Sequence, residues 1–462
     1  MFFKQYYLGC LSQASYLIGD EATRTAVVVD PQRDVDEYLA DAAEQGFTIT
    51  HVFLTHFHAD FVAGHLELRD RVGAAICLGG RAEAEFPIER FPDGRDLTFG
   101  NVRVRALETP GHTPEGITLL VFDLAKSATE PYAALTGDTL FIGDVGRPDL
   151  MASVGVTADE LANMLYDSLQ TKILPLPDET LIYPAHGAGS LCGRSLSNET
   201  FSTMAVQRQY NYALQPMSRD EFVTLVTADQ PEAPAYFIKD AMLNRQEHPT
   251  LDQELVRALK PLSLGEVLSC QASGATLLDV REANDFEAAH LSGSLDIGLG
   301  GPFATWAGTL LEMGQALVLV AEPGNETEAA VRLGRIGFHN VLGYLDGGMA
   351  ALAVRPDLVD RVNRLAPATA AEELAGPNPP FVVDVRAPGE FDGGHVDGAV
   401  NIPLNHLRAR IAEIPRDRPV LVHCQGGYRS GVASSILRAA GYTDFADLAG
   451  GYPALAAVRP DR

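Results

Sequence analysis

Basic side chains are scarce in this chain. Lysine and arginine number 35 against 61 aspartates and glutamates, a net charge of −26, and no basic patch with interleaved aromatics stands out. Such an excess of negative charge argues against non-specific binding to nucleic acid or to an anionic membrane. Long apolar runs are also missing. The N-terminal stretch MFFKQYYLGCLSQASYLIGDE is apolar in places, but Lys4, Gln5, Gly9, Gln13 and Asp20 interrupt it and no signal-peptide cleavage pattern follows. It reads as a first strand pair, and no run reaches the length of a membrane span. Cysteine is sparse as well. Five are present, Cys10, Cys77, Cys192, Cys270 and Cys424, scattered and odd in number, with no disulfide framework and no paired zinc spacing. A cytoplasmic protein in a reducing compartment is the expectation.

The chain has 462 residues, with 46% hydrophobic and 21% charged side chains. That is ordinary globular composition, too long for one core, so two to four domains are expected. Apolar runs predict strands at Ser15–Ile18, Ala26–Asp30, Thr48–Leu54, Ala75–Leu78, Val102–Glu108, Ile117–Phe122 and Tyr132–Thr136. Helical spacing covers Asp34–Gln45, ending at Gly46. Two layers of strands with helices outside is the expected arrangement.

The organising stretch is Thr55–His65, THFHADFVAGH. Metal-capable side chains stand at alternate positions, His56, His58 and Asp60, on a loop leaving a buried strand. Gly64 lets the chain turn, and His65–Val72 can continue as a helix. Three later motifs repeat the placement at strand ends: His112 in TPGHTPE, Asp138 in TGDTL and His186 in YPAHG. One histidine on such a loop is unremarkable; four sites of one kind point to a metal centre.

In these motifs the sequence resembles the metallo-β-lactamase superfamily over about the first 240 residues. The resemblance implies an αβ/βα sandwich with metal between the loop ends. The usual loop is His-x-His-x-Asp-His, and here the last position is Phe61, so the ligand that normally serves a second metal is missing. The branch it looks most like is the persulfide dioxygenases, whose resemblance implies one mononuclear Fe(II) on His56, His112 and Asp138, with zinc as the alternative metal. Two imidazoles and a carboxylate on one face leave open positions, which suits non-haem iron and O2. His58, Asp60 and His186 would then orient ligands or water, or else bind a second metal. The stretch Gly143–Leu150, GDVGRPDL, also resembles that branch. Arg147 there has two readings: a pair for a substrate carboxylate, or an internal salt bridge with Asp144 or Asp149. Cys192 either lines the pocket beside His186 or is a buried, inert thiol.

Further on, Asn198–Leu214 has helical spacing, and Pro216–Gln230 opens a helix with a Ser218 cap and Glu221 three residues later. The second half is a repeat. Leu277–Ile297 matches Val382–Ile402, pairing Asp279 with Asp384 and His290 with His395, and Leu345–Leu352 matches Leu448–Leu455. Each copy alternates strand-like and helical runs, as in a doubly wound α/β domain. Ala375–Pro380 is a loop, and the copies meet near Arg355–Leu365.

Both copies resemble rhodanese domains. In the second, Val420–Ser430, VLVHCQGGYRS, matches the family's active loop. The resemblance implies Cys424 as the sulfur-carrying nucleophile, with Arg429 adding charge for an anionic sulfur substrate and a helix starting from about Ser430. Backbone N–H groups and a helix N-terminus favour an anion there, and the nucleophile of such chemistry is a thiolate. A buried structural thiol is the lesser alternative for Cys424. In the first copy Glu322 stands where Cys424 would be and the loop is two residues shorter. A carboxylate accepts no sulfane sulfur, so this copy is expected to be inactive. The matching His290 and His395 are expected to be structural, and Cys10, Cys77 and Cys270 likewise.

The expected organisation is a metallo-β-lactamase-like domain over 1–245, an inactive rhodanese-like domain over 260–355 and an active rhodanese domain over 365–462. The resemblance implies oxidation of a low-molecular-weight thiol persulfide by O2 to sulfite and thiol, with sulfur transfer through Cys424 giving thiosulfate. Members of that branch often pair their first domains, so a homo-oligomer is among the expectations. Two other readings stand beside this one: a glyoxalase II-like thioester hydrolase with two zinc ions, and a non-catalytic sulfur-relay or redox-sensing protein.

Overall fold

Apolar runs flanked by turn residues become the strands of two six-stranded sheets in the first half of the chain. This computed structural model describes residues 1–150, 155–194, 196–228, 230 and 232–458. Position 195 in the Cys192 loop, position 229 in the segment after Ser218 and positions 459–462 at the end of the second repeat lie outside the described residues. The chain divides into two compact units, Met1–Leu251 with Gly334–Gly337, and Asp252–Leu333 with Phe338–Arg462.

In the first unit, β1 (Phe2–Leu8), β2 (Gln13–Asp20), β3 (Thr25–Val29), β4 (Thr48–Phe53), β5 (Ala75–Gly79) and β6 (Glu89–Phe91) form one sheet in that order. Its first three strands are antiparallel and the remainder join in parallel. The other sheet runs β12 (Ser202–Thr203), β11 (Leu181–Pro184), β10 (Ala133–Gly137), β9 (Ile117–Asp123), β8 (Val102–Glu108) and β7 (Asp96–Phe99). Alternate residues of both sheets fill one core, in which Tyr16, Val27, Val29 and Phe53 meet Val102, Val104, Leu119 and Leu135. The opposite faces of β9, β10 and β11 carry Leu120, Ala134 and Ile182, which pack against Leu165 of helix Ala158–Ser168 and Phe222 of helix Arg219–Thr227. Sheet against sheet with helices outside is the αβ/βα sandwich. Its helix ends are written locally: Ser218 and Glu221 form a reciprocal cap, and Gly46 ends helix Asp36–Gln45 in the left-handed conformation.

One expected helix is shorter than its spacing suggests. Asn198–Leu214 becomes β12, helix Met204–Tyr210 and a single tight turn at Tyr212–Leu214. The break falls at Asn211, whose buried amide donates to the carbonyls of Phe141 and Asp144, holding its own backbone extended.

In the second unit each repeat has its own five-stranded, all-parallel sheet. The first orders β13 (Pro261–Leu262), β18 (Val341–Leu345), β17 (Leu317–Val320), β14 (Thr276–Asp279) and β16 (Leu295–Asp296). The second orders β20 (Asn363–Leu365), β24 (Phe445–Leu448), β23 (Val420–His423), β21 (Phe381–Asp384) and β22 (Val400–Asn401). Strands covered on both faces explain the uninterrupted burial of β17 and β23. Between the copies, β15 (His290–Leu291) pairs with β19 (Val359–Asp360), and three residues later β20 already belongs to the second sheet. The repeats preserve small contacts. Arg281 forks on Asp279 and Arg386 on Asp384. His290 stacks on Phe286 and His395 on Phe391, each Nδ1 reaching the stacked residue's carbonyl. Both histidines are therefore structural. The active-loop helix begins at Tyr428 rather than Ser430, because Gly427 takes the left-handed cap position at φ 108°.

Where the two copies meet, three carboxyls are buried: Glu287, Asp296 and Asp447. Arg364 pairs with Glu287 at 2.8 Å, whereas both oxygens of Asp296 lack hydrogen-bond partners. Burial, with neighbouring carboxylates adding to it, pushes Asp296 and Asp447 well up. A carboxyl whose folded pKa is raised stabilises the fold fully below its unfolded pKa, and that contribution is lost as pH rises through the folded value. Asp447→Asn and Asp296→Asn, which cannot ionise, should therefore raise the melting temperature at about pH 8 and change it little at about pH 5. Equal effects at both pH values in a thermal melt would contradict the buried-proton account.

Candidate metal centre and cysteine loop

The metal loop is tied down before it presents any ligand. Asp30, just past β3 and in the left-handed region at φ 49°, accepts from the Thr55 backbone N–H and hydroxyl, both at 2.8 Å. Its Oδ1 also meets His58 Nε2 at 2.9 Å. The Thr55 hydroxyl proton is spent on Asp30, so Oγ1 accepts from His56 Nδ1 at 3.0 Å. That sets the His56 tautomer and leaves Nε2 with a free lone pair. His56 Nε2 is buried and has no hydrogen-bond partner. His112 is set in the same way from another direction. Its Nδ1 lies 2.9 Å from the Arg147 carbonyl, which can only accept, so Nε2 again carries the lone pair.

Both free nitrogens face one carboxylate oxygen. Asp138 Oδ2 lies 3.4 Å from His112 Nε2 and 3.7 Å from His56 Nε2, and the three ligand atoms fall within 4.8 Å of one another. Burial alone would raise Asp138, but the His186, His56 and His112 imidazoles around it hold its carboxyl well below the usual range. Burial, helped by His58, keeps His56 well below the ordinary histidine range and so neutral. Two imidazoles and one ionised carboxylate, buried and aimed at one point, fit a metal ion. Thr55, Thr109, Thr113, Gly116, Ile117 and Thr139 line the cleft above them.

A second group, His58, Asp60 and His186, also brings ligand atoms within 4.8 Å. Three of its polar atoms, His58 Nδ1, Asp60 Oδ1 and His186 Nε2, are buried without a hydrogen-bond partner, so this group too can take a metal ion. His186 Nδ1 lies 2.8 Å from Asp138 Oδ1 and its Nε2 lies 2.9 Å from Asp60 Oδ2. Burial would lower His186, yet these carboxylates hold it well above the ordinary range. Phe61 is fully buried against the His58 ring, with centroids 4.4 Å apart. Cys192 joins Asp138 and His186 in a third cluster of the same span, and burial with Asp60 and Asp138 pushes its thiol well up. It sits at the site as a protonated thiol.

Arg147 takes the internal reading of its two. Its side chain is 2% exposed, it forks on Asp149 with two 2.7 Å bonds, and Nη1 reaches the Leu191 carbonyl. In this structure the internal pairing is the one made, and the backbone of Arg147 serves the site through His112. Asp30 and Thr55 were not singled out from sequence. The available signal was an aspartate closing an otherwise apolar strand, AVVVD, where a buried carboxylate needs partners. Gly146 marks a close approach: a Cβ there would fall 2.0 Å from the Asp138 carbonyl oxygen and 3.0 Å from the His112 Cβ.

In the second repeat, β23 delivers Cys424, 1% exposed, into a loop that closes on its sulfur. The Gly427 N–H donates to Sγ at 3.1 Å and the Ser430 hydroxyl approaches at 3.5 Å. Arg429 does not stand free beside it. Its guanidinium forks on Glu390 at 2.6 and 2.7 Å, so the charge expected to meet an anionic substrate is balanced by a carboxylate. In the first repeat Glu322 is exposed, 3.9 Å from Arg281.

The metallo-beta-lactamase superfamily profile matches residues 8–186, and the rhodanese-like domain profile matches twice, over 263–354 and 366–457. "Persulfide dioxygenase ETHE1, mitochondrial" of Bos taurus is 32% identical over 216 residues, which span 46% of this chain and 75% of that protein. The chain belongs to the metallo-β-lactamase superfamily. Its metallo-β-lactamase domain has ETHE1 persulfide dioxygenases as homologues and is followed by two rhodanese-like domains. A hydroxyacylglutathione hydrolase of Rhodospirillum rubrum is 29% identical over 231 residues, 50% of this chain and 80% of its own. A crystal structure from Staphylococcus aureus, described as a metallo-beta-lactamase, aligns over 75% of this chain and 98% of its own with 31% identity and a TM-score of 0.66. Among the described residues, no helix is long and apolar enough to cross a membrane.

Because the metallo-β-lactamase domain brings the Asp138 backbone against Gly146, a methyl group there has nowhere to go. Gly146→Ala should cut bound metal at least severalfold, read by elemental analysis of purified protein, while circular dichroism stays near wild type. Full metal content in this variant would show that the close approach relaxes without cost.

Proposed function

We propose that this chain oxidises a low-molecular-weight thiol persulfide at one Fe(II) held by His56, His112 and Asp138, and that its second rhodanese-like domain moves sulfane sulfur on Cys424. The ETHE1 homologues and the rhodanese domains support a role in sulfur metabolism and small sulfur compounds as substrates. We divide the work among 1–245, an inactive 260–355 and an active 365–462. The observation that carries the single-metal reading is Phe61, buried against the His58 ring in the place of a further histidine.

When bound, such an iron supplies open positions at which O2 and a persulfide sulfur can react. The protein's part is orientation and exclusion. Asp30 and Thr55 hold the His56 ring, the Arg147 carbonyl holds His112, and His186 fixes the other oxygen of Asp138. Persulfide, O2 and water then give thiol, sulfite and protons. At Cys424 the thiolate attacks the outer sulfur of a second thiol persulfide, whose S–S bond breaks to release the thiol, and the sulfane sulfur is carried as a cysteine persulfide. Sulfite attacks its outer sulfur, the S–S bond breaks, thiosulfate leaves and the Cys424 sulfur recovers the electron pair beside the Gly427 N–H.

The second reading is a thioester hydrolase with two zinc ions, favoured by the second ligand group and by relatives named hydroxyacylglutathione hydrolase. Metal analysis separates the two: one iron per chain supports the dioxygenase, two zincs the hydrolase. His112→Ala and Asp138→Ala should strip the metal and lower persulfide-dependent oxygen uptake by about 100-fold or more, since a three-ligand site cannot spare one. Retained iron with full oxygen uptake in both variants would refute the assignment. Cys424→Ser should leave oxygen uptake largely intact and shift the product from thiosulfate to sulfite, because a serine hydroxyl is not ionised near neutral pH. Wild-type thiosulfate yield from that variant, corrected for the uncatalysed reaction of sulfite with persulfide, would remove Cys424 from the route.

A further inference from the structure

The first repeat has lost its nucleophile, yet it touches the loop that kept one. Tyr428, the fifth residue of the Cys424 loop and the first of its helix, sends its hydroxyl into the first repeat and donates to the Gly298 carbonyl at 2.8 Å. Its ring lies over Gly301 so closely that a Cβ there would sit 2.3 Å from the ring edge. One turn on, Gly431 packs against the same repeat: a Cβ at that position would fall 2.8 Å from Ala283 Cβ and 2.9 Å from an Asp296 oxygen.

The receiving segment is built for this. Residues 297–301 read Ile-Gly-Leu-Gly-Gly, and at the offset of 105 the second repeat reads Ile402, Pro403, Leu404, Asn405, His406. The apolar anchors match, while three positions that carry Pro, Asn and His in the working copy are glycines in the silent one. Glycine exposes a carbonyl and removes the Cβ that would block an incoming ring. Nor is the segment loose. Arg332 of the first repeat donates to the Leu299 carbonyl at 2.7 Å and reaches that of Gly301 at 3.5 Å, and the Leu299 N–H is held by the Val280 carbonyl.

We propose that the silent repeat is the positioning half of the sulfur-transfer site, with its Gly298–Gly301 segment acting as a cradle for Tyr428. Fixing Tyr428 fixes the residue before it, and that residue is Gly427, whose N–H rests on the Cys424 sulfur. The silent copy therefore acts on the reaction without a side chain at the reacting sulfur, and Tyr428 is a positioning residue. The inference rests on the reading of Cys424 as the sulfur carrier, but its geometry can be tested apart from turnover.

The test uses the full chain with Tyr428→Phe, which removes only the hydroxyl, and Gly301→Ala, which drives a methyl into the ring. Two readouts are taken: steady-state thiosulfate:cyanide sulfurtransferase kinetics, and the rate of iodoacetamide labelling at Cys424, resolved by mass spectrometry from the exposed Cys10. Tyr428→Phe should lower kcat by about five- to tenfold, the scale of one lost hydrogen bond, with KM for thiosulfate within about twofold. It should slow Cys424 labelling to a similar degree while the melting temperature holds. Gly301→Ala should do the same or more. If both folded variants keep wild-type kcat and wild-type labelling, the cradle is incidental packing and the proposal is wrong. If wild type itself transfers no sulfur, the sulfur-carrier reading fails, and the labelling rates still decide whether the silent repeat sets the loop.

Discussion

A single buried carboxylate holds the first site together. Asp138 presents one oxygen to His186 and the other to His56 and His112, and without its negative charge three imidazoles would crowd one buried pocket with nothing to gather around. Burying a charge is costly unless it is paired and hydrogen-bonded, and here the pairing is supplied by the residues that would share the metal. Everything around Asp138 serves its position. β10 ends there, Gly146 lets the following loop fold back onto its carbonyl, and Asp30 and Thr55 turn His56 toward it from the other sheet.

The same logic appears in weaker form at Cys424. Little touches its sulfur: one backbone N–H and one hydroxyl, while Arg429 is paired with Glu390. A site defined so largely by main-chain geometry depends on whatever fixes the main chain, which is why contacts remote from the sulfur matter there. The metal centre is over-determined by side chains, whereas the cysteine loop is shaped from outside.

Much of this was legible in the sequence because the relevant signals are local. His56, His112 and Asp138 each follow a strand and sit beside turn residues, and the internal repeat shows itself by direct comparison of one half of the second unit with the other. What escaped was non-local or competitive. Asp30 acts across 25 residues on Thr55, and nothing around AVVVD names its partner. Arg147 had a carboxylate two residues away and took it, a choice between neighbours that spacing cannot decide. The helical spacing of Asn198–Leu214 was broken by one asparagine amide reaching back to Phe141 and Asp144. Tyr428 and Gly298 stand 130 residues apart, beyond any local pattern.

The hand-over from β19 to β20 has a consequence for how the second unit evolves and can be dissected. Asp360 still belongs to a ladder of the first repeat and Asn363 already to the sheet of the second, so Arg361 and Val362 alone connect them. Such a tether is shorter than any hinge. It keeps the halves at a permanently high effective concentration for one another. Duplicated modules usually drift apart along their linkers; this pair has no linker along which to drift. A cut more than one residue to either side of this point would trim a paired strand, so the two repeats are expected to be inherited, lost and engineered as one piece.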